Sequence, residues 1–145
     1  MSNSIKFSVV SESNSPAKTT ISTRGFQLVV DEPESLGGTN TAPNPVEYIL
    51  AGYAGCINVV AHVIAKELAF TPTDLSIAIE GEINPNRLLG RDFTERAGYK
   101  GLQVKVQTSA PLSEALKNQW LKEIENRCPV NDNLSNPTPI DFQIV

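Results

Sequence analysis

The chain has 145 residues, enough for one domain with a sizeable core, and the sequence predicts a single domain over residues 1–145. Lys and Arg total 12 against 16 Asp and Glu, giving a formal charge of −4 with no basic run, which argues against nucleic acid and anionic membrane surfaces as partners. The 2 cysteines lack a CxxC spacing and are too few for a disulfide scaffold, so they are either inert core thiols or a redox pair.

Short apolar segments predict strands in the first part of the chain. Residues 5–10, 19–22 and 25–30 are the candidates, and the polar stretch SESNSPAK predicts a hairpin loop between the first two. The sequence DEP ends the third strand. The segment after it is rich in Gly, Pro, Ser, Thr and Asn and predicts a loop that leads into a helix.

Residues 44–69 form the longest apolar stretch and predict a buried helix. Asn44 suits the N-cap position, and Pro45 suits the first helical position. Glu47 falls where the carboxylate of a capping box reaches back to the N–H of the cap residue. These residues predict where the helix begins.

The middle of this helix is apolar on nearly every side. Only Asn58 and His62 are clearly polar between residues 48 and 65, so other layers of the chain or a second subunit should cover it. Its length approaches the roughly 20 residues that cross a bilayer. Aromatic belts and basic flanks are absent, so the sequence predicts no membrane span. The N-terminus lacks a signal-like segment, so we expect a cytoplasmic protein.

The second half of the chain predicts two strands, an amphipathic helix and a last strand. Residues 74–83 and 102–108 alternate as half-buried strands do, and the polar segment between them predicts a long loop. A helix from about Ser113 has an apolar face that ends at Cys128, where the following proline disfavours helical geometry and opens a short turn. Residues 138–145 alternate again. Grouped strands separated by helices indicate an α+β fold.

Reactivity of a cysteine depends on its surroundings. A thiol at its reference pKa of about 8.5 is only a few per cent thiolate at neutral pH. Cys56 lies mid-helix, beyond the reach of the helix dipole, so a reactive Cys56 needs a cation from elsewhere. Apolar burial alone would raise its pKa and leave it inert. The residues by themselves therefore leave Cys56 and Cys128 as either structural thiols or nucleophiles.

Two motifs, PxE…AGC and the distant NRCPV, carry a family resemblance because they occur in the right order at the right separation. The run GGTNTAPNPVEYILAGYAGC, followed by RAGY and by NRCPV, resembles the OsmC/Ohr family of thiol-dependent hydroperoxide reductases from about Arg24 to the C-terminus. The resemblance implies an OsmC-like α+β homodimer whose two chains intertwine their sheets around long central helices. It also implies that Cys56 is the peroxidatic nucleophile and Cys128 the resolving cysteine.

The resemblance further implies the chemistry. The thiolate attacks the O–O bond of an organic hydroperoxide, and the resulting sulfenic acid condenses with the second thiol. A dithiol, lipoyl in the best-known members, reduces the disulfide again. Neither a metal nor an organic cofactor takes part, and the lone His62 lacks the neighbours of a metal site.

Two departures from the family pattern concern the activating groups. An arginine should stabilise the thiolate and a glutamate should orient that arginine, but Val46 stands at the expected glutamate position and Glu47 comes one residue later. Glu47 can therefore be an orienting carboxylate or only a cap. The arginine expected before the helix is absent, which leaves Arg24 as the first candidate and Arg96 as the second. The pattern DEP…GG…NPVEY resembles a less characterised OsmC-like branch.

Three functions stay open at this stage. The first is a dimeric peroxidase that reduces organic hydroperoxides with a dithiol. The second is a non-enzymatic dimer that binds a hydrophobic ligand and keeps its cysteines as core residues. The third is a redox sensor, or an enzyme that handles organosulfur compounds, on the same thiols.

Overall fold

The computed structural model describes residues 3–145, which separate into one unit that ends at Ile49 and a second unit, Leu50–Val145. The order of elements is that of an α+β protein, as predicted. The single domain over residues 1–145 stays a prediction. In chain order the elements are β1 (Val10–Ser13), β2 (Thr19–Thr23), β3 (Phe26–Val30), a 3-10 turn (Glu34–Leu36), α1 (Pro45–Glu67), β4 (Ser76–Gly81), β5 (Leu102–Gln107), α2 (Glu114–Arg127) and α3 (Pro129–Ser135).

The first unit contains an antiparallel sheet with the order β1, β2, β3. Thr23 at the end of β2 pairs with Phe26 at the start of β3. The two residues between them, Arg24 and Gly25, have φ values of 48° and 85°. Two left-handed residues make the type I′ turn that matches the twist of a hairpin. Arg24 thus lies at the tip of this hairpin.

Asp31 organises the loop between β3 and α1. Its carboxylate accepts hydrogen bonds from the backbone N–H of Glu32 (2.8 Å), from the N–H and hydroxyl of Thr39 (3.2 and 2.5 Å) and from those of Thr41 (3.1 and 2.8 Å). A Cβ on Gly38 would lie 1.9 Å from the Glu32 carbonyl oxygen, so only glycine fits there. These contacts fix the loop that leads into α1.

Helix α1 begins where the sequence predicts. The side-chain oxygen of Asn44 accepts the backbone N–H of Glu47 at 2.9 Å, and Pro45 is the first helical residue. The Glu47 carboxylate is exposed and makes no hydrogen bond with another residue of the described range 3–145. The cap is therefore formed by Asn44, without the reciprocal half of a capping box.

Only one face of α1 is buried within a single chain. Val59 and Val63, on the opposite side, are 61% and 46% exposed. All-round burial is therefore not achieved by the chain itself. The helix is long and apolar enough to cross a membrane by length and composition, a test that core helices of soluble proteins also pass. The buried residues of α1 are Tyr53, Ile57, Ala61, Ile64 and Ala65.

The second unit has a core shared by helices and a hairpin. Strands β4 and β5 pair antiparallel, and their half-buried residues pack against the buried cluster. Trp120 of α2 is buried, and its indole N–H donates to the backbone carbonyl of Ala61 at 2.9 Å. The ring of Phe70 packs edge-on against the indole at 5.1 Å. The predicted apolar stripe of α2 is confirmed by this packing.

Two predicted strands are wrong for the single chain. Residues 5–9 have no regular structure, so β1 begins at Val10, and residues 138–145 form no strand. Both segments alternate as strands do, but no strand within residues 3–145 pairs with them. Without a partner for its N–H and C=O groups, an alternating segment gains nothing from extended geometry. Phe7 and Phe142 consequently stay 79% and 92% exposed.

Candidate active site

The two cysteines meet in the second unit, 72 positions apart in sequence. Cys56 lies at the middle of α1, and Cys128 lies at the junction of α2 and α3. The Cys128 thiol donates a hydrogen bond to the sulfur of Cys56 at 2.9 Å, and both cysteines are free. The sequence spacing did not reveal this proximity.

The backbone at Cys128 places its sulfur. The residue has extended geometry (φ −80°, ψ 114°), as expected before Pro129. It ends α2 through its N–H to the Ile124 carbonyl, and its sulfur accepts the N–H of Asn131 at 3.4 Å as the cap of α3. The short turn predicted after Cys128 is therefore a helix of two turns, and the cysteine side chain is part of its start.

Burial separates the two thiols. Cys128 is 1% exposed, whereas Cys56 is half-buried. Burial raises the pKa of Cys128, and its hydrogen bond to Cys56 raises it further, while the Asn131 N–H acts in the opposite direction. Cys128 thus retains its proton and donates it in a hydrogen bond toward the more accessible sulfur.

Two residues beside the sulfurs were missed by the sequence analysis. The hydroxyl of Tyr53 donates to the side-chain oxygen of Asn131, and the Asn131 side-chain amide donates to the Glu125 carbonyl at 2.9 Å. Burial, with the nearby charges of Cys128, Glu125 and Cys56, raises the pKa of Tyr53, so the phenol stays a donor. Their positions, three residues before Cys56 and three after Cys128, were the available signal, since such spacings share a helix face.

A cavity of about 420 Å³ adjoins the pair within the second unit. Its walls come from α1, β5, α2 and α3. Six of the lining residues are aliphatic, and the others, among them Glu125 and Asn131, add polar surface. The lining residues are Tyr53, Ile57, Leu102, Val104, Val106, Leu121, Ile124, Glu125, Cys128, Asn131 and Ser135.

The predicted activating groups lie elsewhere in the chain. Arg24, in the first unit, stacks over the Phe26 ring at 5.3 Å, and Glu47 belongs to the start of α1. Arg96 is exposed in the loop between β4 and β5. No guanidinium group of residues 50–145 donates a hydrogen bond to the Cys56 sulfur. His62 is exposed and its Nδ1 bonds the Asn58 carbonyl, while the described residues contain no cluster that could hold a metal ion.

The family of the chain follows from comparison with known sequences. A sequence model of the family described as OsmC-like protein matches residues 38–143. The chain belongs to the OsmC-like family. The match includes both cysteines and the helix that carries Cys56. A comparison with curated protein sequences found no match.

Solved structures share the fold. An OsmC-like protein from Mycoplasma pneumoniae has a TM-score of 0.78 at 20% identity, covering 90% of this chain and 88% of that one. An organic hydroperoxide resistance protein OsmC from Legionella pneumophila has 0.67 at 20% identity, covering 90% and 89%. The organic hydroperoxide resistance protein OhrB of Bacillus subtilis has 0.62 at 20% identity, covering 88% and 89%. At these identities the likeness establishes the OsmC-like fold.

Proposed function

We propose that this protein reduces organic hydroperoxides through a Cys56 thiolate and a Cys56–Cys128 disulfide. The observation that carries the proposal is the sulfur pair itself, in which the buried Cys128 thiol donates to the more accessible Cys56 sulfur at 2.9 Å. The family includes proteins named for organic hydroperoxide resistance, which supports the substrate class. The reaction belongs to oxidative-stress defence.

The reaction proceeds in two balanced steps. The Cys56 thiolate attacks the terminal peroxide oxygen, an S–O bond forms, the O–O bond breaks, and the alcohol leaves after taking up a proton. Cys128 then attacks the sulfur of the sulfenic acid, and its own proton leaves with the hydroxide as water. The short distance between the sulfurs favours the second step over further oxidation of Cys56.

Arg24 is our proposed activator of Cys56, with Arg96 as the alternative. The guanidinium of Arg24 is exposed, stacks over the aromatic ring of Phe26 and forms no ion pair in the described range 3–145. It is therefore free to stabilise a thiolate and polarise a peroxide. We propose that the exposed carboxylate of Glu47 orients this arginine, in addition to the part of its backbone N–H in the helix cap.

We propose that the working form is a homodimer in the cytoplasm. The exposed valines of α1 and the alternating segments 5–9 and 138–145 leave apolar surface that a second copy would cover. Strand pairing between copies would also satisfy the backbone groups of both segments. A location where thiols stay reduced fits two free cysteines.

Peroxide consumption tests the proposal. With cumene hydroperoxide and a neutral dithiol, we expect turnover by the wild type and none by Cys56→Ser. In the absence of the dithiol, Cys128→Ser should be oxidised once at Cys56 and stop at the sulfenic acid. We expect Arg24→Ala to slow oxidation about 100-fold, the scale for loss of one preorganised electrostatic donor, with Arg96→Ala as the matched control.

Each alternative outcome has a definite meaning. Wild-type turnover no faster than that of Cys56→Ser would remove the peroxidase. A disulfide formed by peroxide without turnover would instead support a redox sensor. A protein with neither reaction that retains an apolar ligand in its cavity would be a binding module, as the volume of about 420 Å³ allows.

A further inference from the structure

The cavity reaches only one of the two cysteines. Among residues 50–145, Cys128 lines it and Cys56 does not. Cys128 is 1% exposed, so a sulfur atom that attacks Cys128 must arrive through this cavity rather than from the open surface. Cys56 is half-buried and does not line this cavity. The cavity therefore leads to Cys128 rather than to Cys56.

We propose that the reductant enters this cavity and attacks the Cys128 sulfur of the disulfide, with Cys56 as the leaving group. The inference rests on the proposed redox role of the pair. It assigns the peroxide and the reductant to different cysteines. Each catalytic cycle begins with oxidation of Cys56 and ends with reduction of the disulfide by attack on Cys128.

In thiol–disulfide exchange, the direction from which the reductant thiolate approaches decides which cysteine leaves. The attacking, central and departing sulfur atoms align, so attack on Cys128 from the cavity expels Cys56 on the far side. The reductant thiolate forms an S–S bond with Cys128 as the protein disulfide breaks, and Cys56 leaves as a thiolate. The second thiol of the reductant then attacks its own first sulfur, which closes a cyclic disulfide and releases Cys128. The dithiol gives up two electrons and two protons.

Attack on Cys128 first releases the two cysteines in the forms that the next catalytic cycle needs. Cys56, the half-buried sulfur, is released first and in the charged form that attacks peroxide. Cys128 is released second into surroundings that favour its protonated form, because burial disfavours a buried thiolate. The proton comes from the second thiol of the reductant. Attack on Cys56 would instead expel the buried sulfur as a charged leaving group.

The lining defines the chemistry of the reductant. Six apolar side chains surround the space, and a volume of about 420 Å³ admits a small dithiol with an alkyl chain. Glu125 is exposed and also lines the cavity, in a chain with a formal charge of −4. A negatively charged thiol is therefore repelled as it enters the cavity. The site fits a neutral dithiol with an apolar chain. The apolar lining residues are Ile57, Leu102, Val104, Val106, Leu121 and Ile124.

Mapping of a trapped mixed disulfide tests which sulfur is attacked. The wild-type disulfide is made with diamide, so the experiment does not depend on peroxidase activity. The oxidised protein is mixed briefly with 2-mercaptoethanol, and excess N-ethylmaleimide is then added to stop the exchange before digestion and mass spectrometry. We expect the mercaptoethanol adduct on Cys128 and the maleimide on Cys56. The reverse assignment, or an equal mixture, overturns the inference while leaving the peroxidase proposal intact.

A pair of cavity variants tests the route. Val104→Phe fills the cavity from β5, and Gln103→Phe places the same ring on the opposite, exposed face of that strand. We expect Val104→Phe to slow reduction by dihydrolipoamide at least tenfold relative to Gln103→Phe, and by a larger factor than it slows oxidation of Cys56 by peroxide. Equal reduction rates in the two variants would contradict the proposed route.

Charge selectivity gives an independent measurement on a variant that leaves the volume almost unchanged. We expect Glu125→Gln to accelerate reduction by the anionic thiol 2-mercaptoethanesulfonate several-fold more than reduction by neutral 2-mercaptoethanol. Equal acceleration of both thiols would show that Glu125 does not face the approaching reductant, and would overturn the cavity as the route.

Discussion

Each of the two units buries a side chain that can lose a proton, and the two surroundings shift its pKa in opposite directions. Asp31 in the first unit is 0% exposed, and Cys128 in the second is 1% exposed. The Thr39 side chain is the strongest of several donors that hold the pKa of Asp31 far below its usual range. The Cys128 sulfur accepts only weak backbone donors, the N–H groups of Asn131 at 3.4 Å and of Val130, and burial raises its pKa. The number and strength of donors therefore decide the charge of a buried acid.

The difference separates a structural role from a chemical one. A carboxylate that keeps its charge at every physiological pH cannot exchange protons, but it can hold five donors in fixed positions. A buried thiol that keeps its proton can release it when a reaction makes the charged form useful. Asp31 thus shapes the loop before α1, and Cys128 is suited to the second step of a redox cycle.

Loss of the Asp31 charge should have the largest effect on stability. Asp31→Asn weakens the bonds to Thr39 and Thr41 and turns an NH₂ group toward N–H and O–H donors, which leaves buried donors unpaired. We expect the melting temperature to fall by many degrees and the amides of Thr39 and Thr41 to exchange faster with solvent. Glu34→Gln, in the same loop but exposed, is the control and should melt like the wild type. Equal melting of the two variants would show that the charge is not needed.

Different residues should lower the stability of the folded protein at acid pH and at alkaline pH. Asp31 has a lowered pKa, so it adds stability above the unfolded value of about 3.9 and loses it as the pH falls through the folded value. Cys128 has a raised pKa, so above the unfolded value of about 8.5 the folded state binds more protons and stability falls as the pH rises. Tyr53, whose pKa is also raised, adds to the alkaline loss.

Two variants separate these contributions. In melting curves recorded across the pH range, Cys128→Ala should flatten the alkaline decline and leave the acid decline unchanged, whereas Asp31→Asn should do the reverse. We expect the alkaline change to be the smaller of the two, because Tyr53 continues to contribute to it. A Cys128→Ala protein with an undiminished alkaline slope would mean that Cys128 titrates normally in the folded state.

Local patterns predicted most of the regular structure. The Asn44 cap and the apolar run gave the start and extent of α1, and alternation gave β4 and β5. These predictions are correct because a helix cap, a helical stripe and an alternating strand each depend on residues that are close together in the sequence. The stripe of α2 also predicted that Cys128 faces the core, which its burial confirms.

The failures share a physical cause, which is dependence on distant chain segments or on other chains. Residues 5–9 and 138–145 have strand periodicity but no pairing partner within residues 3–145. The Tyr53 hydrogen bond to Asn131 spans 78 positions, so no local pattern encodes it. The same limit applies to the activating arginine, whose assignment rests on a family resemblance rather than on a contact. The cavity is lined by residues from four elements that are distant in sequence, so its lining could not be predicted from the sequence.

Removal of a single tyrosine hydroxyl should have the smallest effect on stability. One such tyrosine lies in each unit, so the two variants can be compared directly. Tyr53→Phe deletes the bond to Asn131, and we expect it to lower the free energy of unfolding by about 1 kcal/mol, the usual net value for a neutral hydrogen bond. Tyr48→Phe deletes a similar bond, to the Val29 carbonyl in the first unit. Tyr48 is half-buried, so water can replace the lost hydroxyl and the change should be smaller.

The reactivity of Cys128 distinguishes the two variants more sharply than stability does. Asn131 holds the start of α3 through its N–H to the Cys128 sulfur, so loss of its Tyr53 partner should loosen that turn. We expect iodoacetamide to modify Cys128 several-fold faster in Tyr53→Phe and at the wild-type rate in Tyr48→Phe, as measured by peptide mass spectrometry. Equal rates in both variants would mean that the Tyr53 hydroxyl does not control access to the sulfur, and that the burial of Cys128 depends on the apolar packing of the surrounding core.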